Sequence, residues 1–271
     1  MAGKACVVTG ASRGLGRAIA LAYAEQGADV VLTARNVADL ETLAQEIAAK
    51  GRQALVQPAD ITDLARLGAV AAAAVSRFGK IDVWVNNAGG DTSISGGWAE
   101  WLDVTEAGWD RMVALNLKAQ VFGAQAAARV MREKGGGVIL FMSSIDSLYA
   151  APGGEGIYGA CKAALNNVTQ TMAVELGQFG IRVNAIAPAV VETPLTAPWL
   201  ATEADRQART AFYPLRRVGQ PADVAGAAVY LASDEAAWVS GAVLLISGGA
   251  VMTSDPYRYL MRVNRGGSAG A

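Results

Sequence analysis

Histidine is absent from the chain. The side chain that most often moves protons near neutral pH is therefore unavailable. Histidine-based triads, histidine-dependent dehydrogenation and histidine metal sites are excluded with it. Cysteine is scarce: Cys6 and Cys161 stand alone, with no Cys-x-x-Cys spacing and no neighbouring ligands. No metal is expected, and a reduced, cytoplasmic setting is the simplest reading. An excess of one charge is also lacking, since 23 Lys and Arg face 24 Asp and Glu for a formal net charge of −1. Nothing basic marks a nucleic-acid binder. No apolar run reaches the roughly 18 residues of a membrane helix. The opening MAGKACVVTG enters a strand-like run almost at once, without the charged and apolar regions of a signal peptide.

What is present points to a large buried core: 52% of the residues are hydrophobic and 17% charged, too apolar for disorder. Seven short runs, ACVVT, DVVLT, QALVQ, DVWVN, GVILFMS, IRVNAIA and AVLLISG, are rich in Val, Ile and Leu and nearly continuous. That is the pattern of strands buried on both faces. Longer stretches with helical spacing lie between them, several ending at Gly, a common helix stop. One of these is expected to run unbroken over 107–134. The alternation predicts an α/β fold, a single Rossmann-type doubly wound parallel sheet of seven strands with helices on both faces. Residues 1–250 read as one domain, with segments near 90–106 and 188–220 outside the pattern. Both leave from carboxyl ends of strands, where such sheets bind ligands, so they are candidate lids. Residues 251–271 read as a mobile tail.

Two constellations carry chemistry. TGASRGLG, residues 9–16, follows the first strand and opens the first helix. Gly10, Gly14 and Gly16 provide a tight turn and a backbone free of Cβ atoms, beside a helix N-terminus suited to a pyrophosphate. Ser12, Arg13 and Leu15 complete that loop. GIYGACKAAL then places Tyr158 and Lys162 four residues apart, on one helix face. A phenol titrates near pH 10, too high for proton transfer at neutral pH, and a nearby ammonium is expected to draw it down. The pair can then do histidine's work. Cys161 between them reads as a small buried residue, and Glu155 as a solvated loop charge.

The Gly-x3-Gly-x-Gly spacing is that of the short-chain dehydrogenase/reductases, which the sequence resembles from about residue 5 to 250. NNAG (86–89), NLKA (116–119), SS (143–144), YGACK (158–162), RVNAIAP (182–188) and ISGG (246–249) follow in the family's order. The general pattern is nearest that of 3-oxoacyl-acyl-carrier-protein reductases. Ala189 and Ser147 depart from it, each standing where the family has glycine. The resemblance implies a catalytic set of Asn116, Ser144, Tyr158 and Lys162. Ser144, rather than Ser143, orients the substrate oxygen, and Asn116 holds a water that relays protons to Lys162. It implies a nicotinamide cofactor, with Lys162 on the nicotinamide ribose and Asp60 and Ile61 at the adenine. Asn87, Ala88 and Gly89 line the ribose, and Pro188, Val191 and Thr193 meet the amide. It also implies a homotetramer, in line with apolar residues on more than one stripe of 107–134 and 157–179.

Selectivity between the two nicotinamide cofactors is read at the end of the second strand. NAD-selective sites place a carboxylate about 20 residues past the glycine loop. Here Ala34 and Arg35 stand there, and Asp29 and Asp39 are expected to be too far along the strand and helix to substitute. Arg35 and Arg13 suit a 2′-phosphate, so NADP(H) is expected over NAD(H). The function expected is hydride transfer between that cofactor and a small-molecule ketone or secondary alcohol. A non-catalytic dinucleotide-binding regulator and an NAD-preferring alcohol dehydrogenase are the alternatives. A related epimerase or dehydratase fits less well, since about twenty residues follow Gly249. Trp98, Trp101, Trp199, Phe212 and Tyr213 in the two lids fit a bulky or cyclic substrate.

Overall fold

The computed structural model describes residues 1–90, 96–150 and 153–250. Seven strands form one sheet: β1 (Ala5–Thr9), β2 (Asp29–Thr33), β3 (Ala54–Val56), β4 (Val83–Asn86), β5 (Gly137–Met142), β6 (Ile181–Pro188) and β7 (Val243–Ile246). Their order is β3-β2-β1-β4-β5-β6-β7, and every pairing is parallel. The chain winds outward from β1 to β3, crosses back to β4 and winds the other way. A crevice opens where the direction reverses, beyond the carboxyl ends of β1 and β4.

The near-continuous apolar runs follow from burial on both faces. Successive strand side chains point to opposite sides. Cys6, Val8, Val30, Leu32, Val83 and Val85 therefore share one core with α1 (Gly14–Glu25), α2 (Val37–Ala49) and α8 (Pro221–Ala232). Val7, Val31, Trp84, Ile139 and Phe141 share the other with α3 (Leu64–Phe78), α5 (Ala119–Lys134) and α6 (Gly156–Leu176). Local chemistry sets the ends. Asn36 and Asp63 cap α2 and α3 by accepting backbone N–H groups, and Gly79 ends α3 at a φ of 76°.

Two stretches differ from expectation. The helix expected over 107–134 is interrupted: α4 (Glu106–Val113) passes into a π-helical turn at Ala114–Lys118 before α5 begins. The second lid is not wholly irregular. It holds a short 3-10 turn at Ala197–Leu200 and a helix, α7 (Glu203–Ala211), opened by a reciprocal cap between Thr202 and Asp205. Part of the first lid and the whole of the tail, 251–271, lie outside the described residues. Among the described residues no helix is long and apolar enough to cross a membrane.

Candidate active site

A cleft of about 1360 Å³ lies over the carboxyl ends of the strands. The glycine loop forms one wall. Gly10 and Gly14 have φ values of 67° and 57°, the left-handed region that favours glycine. Gly16 is glycine for space: a Cβ there would sit 2.2 Å from the Gly10 carbonyl oxygen and 2.5 Å from Asn87 Nδ2. No side chain caps the start of α1, and its first turn holds no acid. A cradle that a Cβ would fill, ending at uncapped N–H groups, fits a pyrophosphate.

The turn after β4 is locked to this loop. Thr9 Oγ1 accepts the N–H groups of Asn87 and Ala88 at 2.9 and 3.1 Å and donates to Val85 at 3.1 Å. Asn87 Nδ2 donates to the Thr9 carbonyl at 2.9 Å. Thr9 has a positioning role that its short strand-end context did not reveal. Ser12, Arg13, Leu15, Arg35, Asp60, Ile61, Ala88, Gly89, Pro188, Val191 and Thr193 all line the cleft with Gly10, Gly14 and Asn87. Gly16 lies behind the wall and supports it. Asp60 Oδ1 accepts from Thr62 N–H at 2.9 Å and Thr62 Oγ1 at 2.7 Å, which fixes its carboxylate. Asp39, in the first turn of α2, lines the cleft, with its carboxylate accepting from Asn36 Nδ2 at 2.7 Å. The first turn of α2 swings it back toward the end of β2. Asp29 is held by Arg52 at 2.7 Å.

Ser144, Tyr158 and Lys162 converge deeper in the same cleft. Ser143 donates to Asn166 Oδ1 at 2.7 Å, which commits its hydrogen and leaves Ser144 as the serine that bonds to Tyr158. Ser147, the residue in place of glycine, donates to the Ser144 carbonyl at 2.5 Å and accepts from Asn166 Nδ2 at 2.8 Å. It fixes the turn that presents Ser144. Lys162 is buried, donates to the Met142 carbonyl at 2.8 Å and lies 5.3 Å from the centre of the Tyr158 ring. Trp98 stacks on that ring, with centroids 5.4 Å apart.

The electrostatics differ from the sequence expectation. Burial pushes the Tyr158 phenol up, and the negative charges of Asp146 and Glu155 push it further. Burial lowers the Lys162 ammonium to about 8. Desolvation is the largest cause at both groups. Burial likewise raises the Cys161 thiol, whose Sγ lies 4.0 Å from the Met112 carbonyl, in keeping with a packing role.

Asn116 sits in the π-helical turn, fully buried and outside the cleft lining. Its Oδ1 accepts the Gly90 N–H at 2.7 Å, and its Nδ2 donates to the Met112 carbonyl at 3.2 Å. Both ends of the amide are engaged, so here it clamps the turn that follows β4. A π turn re-aims one side chain within a helix, and such turns are frequent at functional sites. In the lids, Trp98, Trp199, Phe212 and Tyr213 line the cleft. Trp101 does not; its ring lies over Gly156 at the start of α6.

Glu155 is not a solvated loop charge. It stands in the cleft wall, where burial first and Asp146 second push its carboxyl up to about 7, with Arg209 pulling the other way. The folded state then holds that proton to higher pH than the unfolded chain. Stability is lost as pH rises from the ordinary carboxylate range through about 7, and the full cost stands above that. Glu155→Gln should therefore raise the melting temperature at pH 8 and leave it unchanged at pH 4. Solvent reaches this part-buried group, so the gain is on the order of 1 kcal/mol. Thermal unfolding at the two pH values checks this, and equal shifts at both would contradict it.

Comparison with known proteins identifies the family. Residues 10–251 match the family model described as enoyl-(acyl carrier protein) reductase. The L-rhamnose 1-dehydrogenase (NAD(P)(+)) of Azotobacter vinelandii is 42% identical over 251 residues, 91% of this chain and 96% of the relative. The 7alpha-hydroxysteroid dehydrogenase of Escherichia coli K12 is 38% identical over 253 residues, 92% of this chain and 94% of the relative. A solved structure of a 7alpha-hydroxysteroid dehydrogenase, complexed with NADH and 7-oxo glycochenodeoxycholic acid, superimposes with a TM-score of 0.85. It is 37% identical and covers 93% of this chain and 96% of its own.

Proposed function

We propose that this chain, which belongs to the short-chain dehydrogenase/reductase family and is an NAD(P)-dependent oxidoreductase, prefers NADP(H) and interconverts a cyclic secondary alcohol and its ketone through Tyr158. The observation that carries this reading is the meeting of Ser144, Tyr158 and Lys162 in one cleft with the glycine cradle. When bound, the nicotinamide supplies or takes up the hydride. Gly10, Gly14 and the start of α1 hold the pyrophosphate, and Lys162 the nicotinamide ribose. In reduction, Tyr158 gives its hydroxyl proton to the substrate oxygen as the carbon receives the hydride. In oxidation, it takes the hydroxyl proton from the alcohol while the carbon gives up its hydrogen with the bonding pair, as hydride. Ser144 holds the oxygen in reach of Tyr158, and Trp98 limits water beside the phenol.

Arg13 and Arg35 at the adenine end of the cleft support the NADP(H) preference. Each can bond a 2′-phosphate, and one bond to a charged group contributes roughly 1.5–3 kcal/mol. Loss of either arginine should cost about ten- to a hundredfold in NADPH affinity, with little change for NADH. Ala34→Asp with Arg35→Ala should invert the preference. The test is kcat/KM for both cofactors with a panel of cyclohexanol, L-rhamnose and a 7α-hydroxylated bile acid. Equal values, or higher ones with NAD, would refute the assignment. Asp39 on the cleft wall favours that second reading, an NAD-preferring enzyme.

The homotetramer belongs to the same proposal. Trp109 on α4, Phe122 on α5 and Val174 on α6 are exposed at 42%, 41% and 83%, which supports partners for these helices. A stable monomer by light scattering at micromolar concentration would overturn it.

A further inference from the structure

The second lid carries a cation into the cleft without a counter-ion. Arg209 lies in the last turn of α7, half-buried, and lines the cleft with Trp199, Phe212 and Tyr213. The exposed face of that helix is elsewhere, at Gln207 and Ala208. Its charged neighbours are already committed. Arg206 is spent on Glu192 at 2.6 Å. Asp205 stands one turn before Arg209, at the spacing of a helix ion pair. Its carboxylate instead serves the cap, accepting the Thr202 N–H at 3.1 Å and the Thr202 hydroxyl at 2.7 Å. Asp205 and Arg209 act on each other only through space. Among the described residues the Arg209 guanidinium makes no hydrogen bond and no ion pair. What holds it is the Trp199 ring, whose centre lies 5.5 Å from Cζ. A guanidinium that rests on an aromatic ring loses none of its five donors.

We propose that Arg209 is a specificity-determining residue that pairs with a carboxylate on the substrate, so that the enzyme acts on a cyclic secondary alcohol, or its ketone, bearing a carboxylate away from the reacting carbon. This rests on the reading of Tyr158 as the acid and base toward a cyclic alcohol. Arg209 belongs to the catalytic end of the cleft. It acts through space on Glu155, just before Tyr158 in the chain, and on Tyr213. Taking a guanidinium part-way out of water without a partner is costly, and a carboxylate that enters the cleft removes that cost. The planar fork of donors matches a carboxylate with two parallel bonds. Charge decides between anions. Asp146 and Glu155 stand in the same part of the cleft wall. A dianion such as a phosphate meets these two acids with one guanidinium to offset them, whereas a carboxylate carries a single charge. The aromatic side chains beside Arg209 cover the ring that joins the carboxylate to the carbinol.

The experiment compares an acid with its own neutral amide. 4-Hydroxycyclohexanecarboxylic acid and a 7α-hydroxylated bile acid, each beside its primary amide, place the charge at a short and a long reach from the carbinol. All four are assayed beside cyclohexanol with wild type, Arg209→Met and Arg209→Lys, at about pH 6, where a free carboxylic acid is ionised. Wild type should favour the acid over the amide in kcat/KM by about ten- to a hundredfold for the scaffold that spans the distance, the range of hydrogen bonds to a charged group. Methionine keeps the length of the side chain against Trp199 and removes the charge, so the ratio should fall to about one. Lysine keeps the charge without the fork, and its ratio should lie between the two. A purely structural role would lower acid and amide together and leave the ratio at its wild-type value. A ratio near one in wild type for both scaffolds, or a wild-type ratio retained in Arg209→Met, overturns the assignment. Turnover of cyclohexanol without any preference for the acids overturns this proposal alone. No turnover of any alcohol overturns the parent reading, and this proposal with it.

Discussion

Tyr158→Phe should leave cofactor affinity near the wild-type value and reduce turnover by the 10²–10⁴-fold typical of losing a general acid or base. The substitution removes one hydroxyl. The ring keeps its stack on Trp98 at 5.4 Å and its distance of 5.3 Å from Lys162, so the cleft keeps its shape. Lys162→Ala should behave differently. It removes the bond to the Met142 carbonyl and the proposed ribose contact, and so should damage affinity and rate together. Steady-state kinetics with a separate cofactor titration distinguish the two variants. A Tyr158→Phe enzyme that kept more than about a tenth of wild-type turnover, with chemistry rate-limiting, would show that another group moves the proton. The electrostatics add a direction. Burial pushes the phenol up and brings Lys162 down to about 8. A protonated phenol is ready to act as an acid, so reduction needs no prior ionisation. Oxidation needs the phenolate at the same atom, so its rate should rise with pH toward the raised Tyr158 titration.

Much of this was legible in the sequence because it depends on local rules. Strands buried on both faces must be apolar at nearly every position, and all seven were visible on that ground. The glycine loop and the Tyr158–Lys162 pair could be read because each needs fixed residue types at fixed spacing. Other features depend on the assembled sheet. The π turn at Ala114–Lys118 leaves the apolar pattern nearly undisturbed, so the run read as one helix. Helix α7 was passed over for the opposite reason. Its apolar residues are alanines alone, and periodicity had little to follow, although the Thr202–Asp205 cap and Arg209 in the last turn marked its ends. The positions of Asp39 and Glu155 in the cleft wall, and the upward shift of the Tyr158 phenol, are consequences of burial. Spacing along the chain does not encode that burial.

Gly16→Ala should abolish tight cofactor binding, and three glycines test why. At Gly16 the backbone is not in the left-handed region, so space alone is at issue. A Cβ there would lie 2.2 Å from the Gly10 oxygen and 2.8 Å from the Gly10 carbonyl carbon. Those atoms are backbone and cannot rotate aside. The third neighbour, Asn87 Nδ2, is held by the carbonyls of Thr9 and Gly10 at 2.9 and 3.3 Å. The loop must therefore move away from α1, and the cradle opens. Loss of one bond to a charged phosphate means a fall of about ten- to a hundredfold in affinity, and loss of two about a hundredfold or more. At Gly14 the space is open, with Thr193 Cβ at 3.5 Å, but φ is 57°. Alanine there should cost about 1–2 kcal/mol of backbone strain and weaken cofactor binding less. Gly68, in α3, has nothing within 4 Å and no unusual φ. Alanine there should stabilise the fold by about 0.5–1 kcal/mol and leave the cofactor untouched. Calorimetric cofactor titrations and melting temperatures of the three variants separate these effects. Near wild-type affinity in Gly16→Ala would mean that the pyrophosphate does not rest on this loop.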